Sequence, residues 1–247
     1  EPVRPARGII QLIHGLGEHS RRYLPLITKL LDAGYVVAAD DHAGHGRTAM
    51  SSGIWADAGD DADRVVVDDE KTLRSIVREQ HLDLPYVIFG HSWGSMIARG
   101  LVAGDSEGVD GLILCGIAAG IHGIDNILDR QALAAESDAE APASEAYVVA
   151  MFDGFISRYA PGSGPTAWVA RDPDVVRDHA IDPLNNFGAP MSVRFVRGFI
   201  DLYDAVNADG WYSSVRADLP VLILAGDGDP VTNFGEGAYR AVSYTHL

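Results

Sequence analysis

Short and nearly continuous apolar runs recur along this chain, and segments with helical periodicity separate them. A strand that is buried on both faces reads as an unbroken apolar run, as in a parallel sheet that helices cover on both sides. Regular alternation of such strands with helices is typical of an α/β fold. The runs are GIIQLIH at 8–14, YVVAAD at 35–40, PYVIFG at 85–90, GLILCG at 111–116 and PVLILAG at 220–226.

Three helices can be placed between these runs from their caps and their periodicity. Ser20 is expected to cap the first helix, and Gly34 is expected to end it. A second helix is predicted over roughly 63–81, and a third begins directly after Ser92. The core-facing side chains are predicted to be Val66, Val67, Leu73, Ile76 and Val77 in the second helix, and Ile97 and Leu101 in the third.

The alternation of strand and helix lapses between residues 118 and 212. A connection of this length is too long for a plain crossover between two strands, so it predicts an inserted, mostly helical cap subdomain. Residues 1–117 and 213–247 would then form one discontinuous α/β core. Part of the insertion, AAESDAEAPASEA, also suits a solvated surface helix or a mobile loop.

The charge and the cysteine content of the chain argue against several kinds of partner and site. A formal net charge of −16 disfavours nucleic acid or an anionic membrane as a partner, although transient contact with a membrane surface stays open. Cys115 is the only cysteine and lies in an apolar run, so we expect a buried thiol, no disulfide framework and no thiolate metal site. No signal-peptide pattern opens the chain, and a cytoplasmic location is expected.

The stretch FGHSWGS contains the pattern Gly90-x-Ser92-x-Gly94, which is short enough to occur by chance in a glycine-rich turn. Its context, directly after a predicted strand and before a predicted helix, is that of a nucleophile elbow. A serine hydroxyl becomes a good nucleophile when a histidine takes its proton and an acid orients that histidine. Two backbone N–H groups must also receive the oxyanion that forms.

Candidates for the remaining groups lie in two other loops. The N–H of Trp93, the residue after the nucleophile, can supply one half of an oxyanion hole. The loop HGLGEH can supply the other half through Leu16, because the glycines on either side leave its N–H free to face the site. The acid is expected just beyond a later strand, where GDGDP supplies Asp227 and Asp229, and only one of the two can orient the histidine.

Five motifs in this order resemble the monoacylglycerol lipase and lysophospholipase branch of the α/β-hydrolase superfamily, whose members include hydrolases of the serine aminopeptidase type. They are HGLGEHSRRY, DDHAGHGRT, GHSWGS, IDPLNNFGAP and LAGDGDPV, and they cover essentially the whole chain. The resemblance implies the α/β-hydrolase fold and a serine hydrolase that cleaves a lipid-type carboxylic ester through an acyl-enzyme. It also implies that no metal or organic cofactor takes part.

The same resemblance assigns roles to individual positions. Ser92 would be the nucleophile and Asp229 the triad acid, with Asp227 left as a loop residue. Leu16 and Trp93 would supply the oxyanion-hole amides. The resemblance also implies that Glu18 and Arg22 hold the glycerol end of the substrate, and the alternative is that they form a structural ion pair that braces the loop.

The end of the chain departs from the pattern of the resembled family. The catalytic histidine should follow Asp229 by about 24 residues, because a helix, a strand and two loops lie between them. The only histidine downstream is His246, which comes too early. The last residues, VSYTHL, resemble translated sequencing-adapter sequence, so we hypothesise that the natural sequence stops near Val242. The last strand and the catalytic base would then be missing, and we expect little activity from residues 1–247.

Other polar and aromatic residues have competing interpretations. The H-x-x-H pattern at His42 and His45 lies on a glycine-containing loop rather than on a helix, so no metal site is expected there. His91 is expected to point to the opposite side of the elbow from Ser92. The residues of this region whose side chains could in principle form a metal cluster are His14, His19, His42, His45, Asp40 and Asp41. Packing is expected for Trp55, Trp168 and Trp211, and the side chains that could nevertheless line an acyl-chain channel are Phe152, Phe155, Ile156 and Trp168.

Several functions other than a lipid hydrolase fit the same motifs. A general carboxylesterase would share all of them, and a lyase or a perhydrolase would keep the elbow and differ in the contents of the pocket. A ligand-binding protein without catalytic activity could use the same scaffold. In each case the expected partner is a small-molecule ester, lipid or ligand, and the oligomeric state stays open.

Overall fold

Five parallel strands form a single sheet in the computed structural model, which describes residues 1–245. The strands are β1 (Gly8–Ile13), β2 (Tyr35–Ala38), β3 (Tyr86–His91), β4 (Gly111–Cys115) and β5 (Val221–Leu224). Their order across the sheet is β2-β1-β3-β4-β5, and every neighbouring pair is parallel. Each predicted apolar run therefore contains a strand, and the prediction of a parallel α/β fold is confirmed.

Ten α-helices lie within the described residues. They are α1 (Leu24–Asp32), α2 (Gly46–Ser52), α3 (Ala62–Gln80), α4 (Trp93–Gly104), α5 (His122–Asn126), α6 (Arg130–Ala135), α7 (Glu145–Met151), α8 (Pro173–Ile181), α9 (Val193–Asn207) and α10 (Glu236–Thr245). None of the helices in residues 1–245 combines the length and the apolar character that crossing a bilayer requires.

Helix α4 occupies the centre of the fold, because it packs on β1, β3 and β4 and also on α3 and α9. Ile97 and Leu101 on this helix are fully buried, as predicted. On α3, Val66, Val67 and Val77 are buried, whereas Ile76 is 50% exposed and its predicted burial is wrong. Ile76 is nine residues, or about two and a half turns, after Val67 and so lies on the opposite side of α3, whereas Val67 lies beside Gly100 of α4.

The start of the first helix differs from the expectation that Ser20 caps it. Residues Ser20–Tyr23 form a 3-10 turn, and no side-chain cap precedes it. The Ser20 hydroxyl instead donates a hydrogen bond to Asp41 Oδ1 at 2.6 Å. Gly34 ends the helix in a left-handed conformation with φ of 89°, as expected.

Five α-helices lie between β4 and β5, and turns, irregular segments and an isolated antiparallel bridge between Pro142 and Ser192 accompany them. The last of these helices, α9, packs on α3 and α4, whereas α5 and α7 pack on each other. The division into a core and a cap subdomain stays a prediction. At the edge of the sheet, Leu222 of β5 is 50% exposed.

Cys115 is only partly buried, so the expectation of a thiol enclosed in the core is wrong. It is the last residue of β4 and therefore lies at the carboxyl edge of the sheet, where the strands open towards the loops. Binding sites of parallel α/β sheets form at this edge.

Candidate active site

One cavity of about 450 Å³ lies at the carboxyl edge of the sheet. Loops that follow four different strands contribute to it, because the ends of parallel strands meet on the same side. The candidate site residues predicted from the sequence that line this cavity are Leu16, Glu18, Ser92, Trp93, Asp227 and Asp229. Arg22 is the one predicted site residue that is not among the lining residues.

Ser92 lies in the sharp turn between β3 and α4, with φ of 53° and ψ of −119°. Positive φ is strained for a residue with a side chain, and such strain is a feature of functional turns. Two hydrogen bonds fix the turn: Ser92 N–H donates to the Cys115 carbonyl at 2.9 Å, and Ser95 N–H donates to the Ser92 carbonyl at 2.8 Å. This is the strand-turn-helix geometry of a nucleophile elbow.

The two glycines of the elbow are required by close approaches of the backbone. A Cβ at Gly90 would lie 2.3 Å from the Gly94 carbonyl oxygen. A Cβ at Gly94 would lie 2.2 Å from the carbonyl oxygen of Ile13 and 2.5 Å from that of His14. The start of α4 therefore presses directly on the end of β1, which places the loop after β1 beside Ser92.

The predicted oxyanion-hole residues meet Ser92 in the same cavity. Gly15, which precedes Leu16, approaches so closely that a Cβ on it would lie 3.2 Å from Ser92 Cβ. Within residues 1–245, the structure records no hydrogen bond from the backbone N–H of Leu16 or of Trp93. Trp93 is also the first residue of α4, where the backbone N–H groups have no partner within the helix. Both donors are therefore available to a ligand.

Asp229 is positioned by the turn that follows β5. Its N–H donates to the Gly226 carbonyl at 3.2 Å, and its Oδ1 accepts a hydrogen bond from Val231 N–H at 2.9 Å. Its Oδ2 faces Gly116 at the end of β4, 3.2 Å from the position that a Cβ there would take. Burial raises the pKa of Asp229, and the hydrogen bond from Val231 offsets part of that increase. Asp227 is exposed, so Asp229 is the better candidate for the acid.

No histidine in the described part of the chain is hydrogen-bonded to the Ser92 hydroxyl or to Asp229. His246, which sequence analysis judged to come too early, lies outside the described residues. Two other histidine rings, His91 and His179, line the cavity. The expectation that His91 points away from the site is therefore wrong. His179, on α8, was not considered from the sequence.

Glu18 and Tyr23 explain the orientation of His91. Glu18 Oε1 accepts hydrogen bonds from Gly15 N–H at 2.7 Å, from the Tyr23 hydroxyl at 2.5 Å and from His91 Nδ1 at 2.9 Å. The carboxylate thus ties the loop after β1 to the residue that precedes Ser92. It is largely buried in the cavity wall, with three donors directed at one oxygen.

The charges of Glu18 and His91 stabilise each other. Burial alone would raise the pKa of Glu18, but the His91 charge and the hydrogen bonds from His91 and Tyr23 hold it well below the usual range. Burial alone would lower the pKa of His91, but the Glu18 charge and hydrogen bond, with a contribution from Asp229, raise it. The pairing therefore favours the anionic form of Glu18 and the cationic form of His91.

Arg22 faces away from the cavity and binds the 118–212 segment. Its Nη1 donates to Asp178 at 3.0 Å and to Asp182 at 3.1 Å, and His19 Nε2 lies 2.9 Å from the same Asp182. Glu18 and Arg22 do not pair with each other among the described residues, so the ion pair of the alternative interpretation is not found, and each side chain has other structural partners. The structure brings Glu18 to the cavity and Arg22 to α8.

Aromatic side chains form the roof of the cavity. Phe152, Phe155, Trp168 and Phe187 contact one another at ring distances of 4.9 to 6.4 Å. Ile156, which was expected to join them, is 48% exposed and does not line the cavity. A second cavity of about 460 Å³ adjoins the first and shares Leu16, Phe152 and Phe187 with it.

The family of the chain follows from comparison with known proteins. The family profile described as serine aminopeptidase, S33, matches residues 4–244. The chain belongs to this family. The monoacylglycerol lipase of Mycolicibacterium smegmatis is 28% identical over 232 residues, which are 92% of this chain and 72% of that protein.

Two solved structures are similar over almost the whole chain. A lipase in an open form superposes with a TM-score of 0.95 at 51% identity, over 99% of this chain and 79% of the lipase chain. A thermostable carboxyl esterase from Bacillus coagulans, solved with glycerol, superposes with a TM-score of 0.94 at 43% identity, again over 99% and 79%. The α/β-hydrolase fold and the resemblance to the monoacylglycerol lipase branch are thereby confirmed.

Proposed function

We propose that this member of the S33 family is a serine hydrolase that cleaves carboxylic esters of the lipid type, such as a monoacylglycerol or a lysophospholipid. The observation that carries the proposal is the convergence of Ser92, Asp229 and the unpaired N–H groups of Leu16 and Trp93 in one cavity. Ester hydrolysis through an acyl-enzyme needs a nucleophile, an oxyanion hole and an acid-oriented base, and candidates for the first two and for the acid line this cavity.

In the proposed reaction, Ser92 Oγ attacks the ester carbonyl and forms a C–O bond while its proton passes to a histidine base that Asp229 orients. The negative charge on the carbonyl oxygen is received by the amides of Leu16 and Trp93. The tetrahedral intermediate then expels the alcohol, which takes the proton back from the histidine. Water attacks the acyl-enzyme in the same manner and releases the acid and the free Ser92 hydroxyl.

The histidine base is the part of the proposal that the described residues do not supply. We propose that the base lies outside residues 1–245, because no described histidine is hydrogen-bonded to Ser92 or Asp229. Loss of a triad base lowers the rate by about 10⁴-fold or more. We therefore expect slow turnover by residues 1–247 and acceleration by a small diffusible base.

The apolar roof and the second cavity support a substrate with an acyl chain. Aromatic side chains cover the space above Ser92, and apolar residues continue into the adjoining cavity. Ligand sites for apolar molecules commonly have volumes of about 300–1,000 Å³ with few polar groups. The similar lipase and the similar monoacylglycerol lipase favour the same substrate class, whereas the similar carboxyl esterase fits the alternative of a general carboxylesterase. The preferred acyl-chain length is therefore the property to measure.

We propose a positioning role for Glu18. Its contacts to Gly15 N–H and His91 hold the loop that carries the Leu16 amide against the elbow. A direct contact of Glu18 with a glycerol group would have to use the carboxylate oxygen that does not already accept these bonds. Substrate binding by Arg22 would require its side chain to leave Asp178 and Asp182.

Hydrolysis of p-nitrophenyl esters of graded chain length tests the proposed function. The chain is assayed with and without added imidazole, and Ser92→Ala gives the background rate at each imidazole concentration. We expect a rate above that background, an increase with imidazole, and a preference for medium or long acyl chains. Equal rates for the chain and Ser92→Ala on every ester would refute the proposal.

A further inference from the structure

Three ionisable side chains converge beneath the loop that follows β1, outside the cavity of Ser92. Asp40 follows β2, His42 lies in the next loop, and Glu70 comes from the middle of α3. His42 Nδ1 lies 3.4 Å from Asp40 Oδ1 and 3.5 Å from Glu70 Oε1, and the three atoms lie within 4.8 Å of one another. His42 and Glu70 are buried almost completely.

The hydrogen bonding of His42 leaves Nδ1 directed at two carboxylates. His42 Nε2 lies 3.2 Å from the backbone carbonyl oxygen of His14, which can only accept, so Nε2 carries a proton and Nδ1 is the ring atom left to bind a cation or a second proton. The distances of 3.4 and 3.5 Å from Nδ1 exceed the usual 2.7–3.2 Å of an N–H···O hydrogen bond. None of the three facing atoms has another hydrogen-bond partner within the described residues.

The two buried carboxylate oxygens that face His42 Nδ1 require positive charge between them, since burying unpaired carboxylates costs several kcal/mol each. A proton on Nδ1 supplies that charge in the metal-free protein, and a metal ion would take the place of this proton. We propose that Asp40, His42 and Glu70 bind a divalent transition-metal ion, with Zn²⁺ as the best match. A tetrahedral Zn²⁺ has N and O ligands at about 2.0–2.2 Å, which places ligand atoms roughly 3.3–3.5 Å apart. The two distances from Nδ1 fall at this spacing.

The surroundings of the three residues are those that metal ligands need. A ligating histidine usually donates its other N–H to a carbonyl or a carboxylate, and a ligating carboxylate is itself hydrogen-bonded. Here His42 Nε2 faces the His14 carbonyl, and Gln11 Nε2 donates to Glu70 Oε2, the oxygen that faces away from the site. Asp40 is partly exposed at the edge of the group, and this gives an ion a route from solvent.

The proposed ion would stabilise the loop that carries Leu16. The His14 ring stacks on the His42 ring with centroids 3.8 Å apart, and His42 N–H donates to His14 Nε2 at 3.1 Å. His14 is two residues before Leu16, and its carbonyl oxygen accepts from His42. A metal bound to His42 would therefore fix the His42 ring, against which His14 and the loop that carries Leu16 pack. The role is structural and does not depend on the proposed ester hydrolysis.

The test is metal binding by the intact chain. Protein stripped with EDTA is titrated with ZnCl₂, and with MnCl₂ and MgCl₂ in parallel, and the bound metal is measured by mass spectrometry after gel filtration. We expect one Zn²⁺ per chain, weaker retention of Mn²⁺ and none of Mg²⁺, together with a higher melting temperature in Zn²⁺. Glu70→Gln should weaken Zn²⁺ binding about 100-fold or more.

Glu79→Gln is the matched control, because it makes the same chemical change at an exposed position of the same helix. It should bind Zn²⁺ like the unaltered chain. If Glu70→Gln fails to fold, Asp40→Asn, at the more exposed ligand, should show the same loss. The proposal is overturned if the unaltered chain retains no stoichiometric Zn²⁺, or if a folded ligand variant binds it equally well. Protons rather than a metal would then balance the three groups.

Discussion

Replacing Gly94 by alanine tests whether the close packing of the elbow on β1 sets the geometry of the site. The new Cβ would lie 2.2 Å from the Ile13 carbonyl oxygen and 2.5 Å from the His14 carbonyl oxygen. Real Cβ atoms essentially never approach another heavy atom below 3.0 Å. Both obstacles are backbone atoms, so the start of α4 or the end of β1 must move by about 1 Å, because the packed interior has no free space.

The expected cost can be stated for stability and for activity. Adding a methyl group to a filled site costs about 1–3 kcal/mol of unfolding free energy. A displacement of about 1 Å between catalytic groups can cost about 10²-fold in rate. Here the displaced groups are the amides of Leu16 and Trp93, which lie on opposite sides of the contact that would open. We therefore expect Gly94→Ala to lose both stability and Ser92-dependent turnover.

Urea unfolding gives the stability, and hydrolysis of p-nitrophenyl butyrate with imidazole gives the rate. Gly104→Ala is the control, because Gly104 ends the same helix and its Cβ would lie 3.5 Å from Lys71 Cε, an ordinary contact. This control should keep its stability and its rate. If Gly94→Ala behaves like Gly104→Ala in both assays, the reasoning about the elbow is wrong.

Three further predictions concern the surroundings of the site. Glu18→Gln should lower the pKa of His91 in an NMR titration, since the Glu18 charge raises it and burial opposes it; an unchanged pKa would contradict the pairing. Glu18→Gln should also lower the free energy of unfolding relative to the unaltered chain, most strongly above the ordinary carboxyl pKa, where Glu18 is charged. This loss should shrink as the pH rises through the raised pKa of His91. Arg22→Ala should speed hydrogen exchange in α8, most clearly at low salt, whereas Arg21→Ala, at an exposed neighbouring position, should not. Phe187→Ala should join the two cavities and shift the preferred acyl chain to greater length, and an unshifted preference would show that the second cavity is not used.

The strands and the elbow could be predicted because their signals are local. An apolar run indicates a strand that is buried on both faces, and Gly-x-Ser-x-Gly between a strand and a helix indicates a tight turn. The sequence also identified which loops meet, since the carboxyl ends of parallel strands share one edge. Ser92, Leu16 and Asp229 therefore lie in one cavity, as their predicted positions in the chain require.

The errors concern contacts between distant parts of the chain. Arg22 pairs with Asp178 and Asp182, and no local pattern identifies partners so far along the sequence. Ser20 resembles a cap, but Asp41 lies closer to its hydroxyl than any helix N–H that it could bind. Glu70 reads as one more polar residue on an amphipathic helix, although it is buried against His42.

Covalent labelling with a fluorophosphonate in the presence of imidazole tests the central claim most directly, since the reagent reacts with a serine hydroxyl that faces an oxyanion hole once a base takes its proton. Mass spectrometry of the labelled protein should find one adduct per chain, on Ser92, and none in Ser92→Ala. Ser95→Ala should be labelled like the unaltered chain, because Ser95 is buried and donates to the Ser92 carbonyl. No adduct on Ser92, or labelling that persists unchanged in Ser92→Ala, would contradict the account.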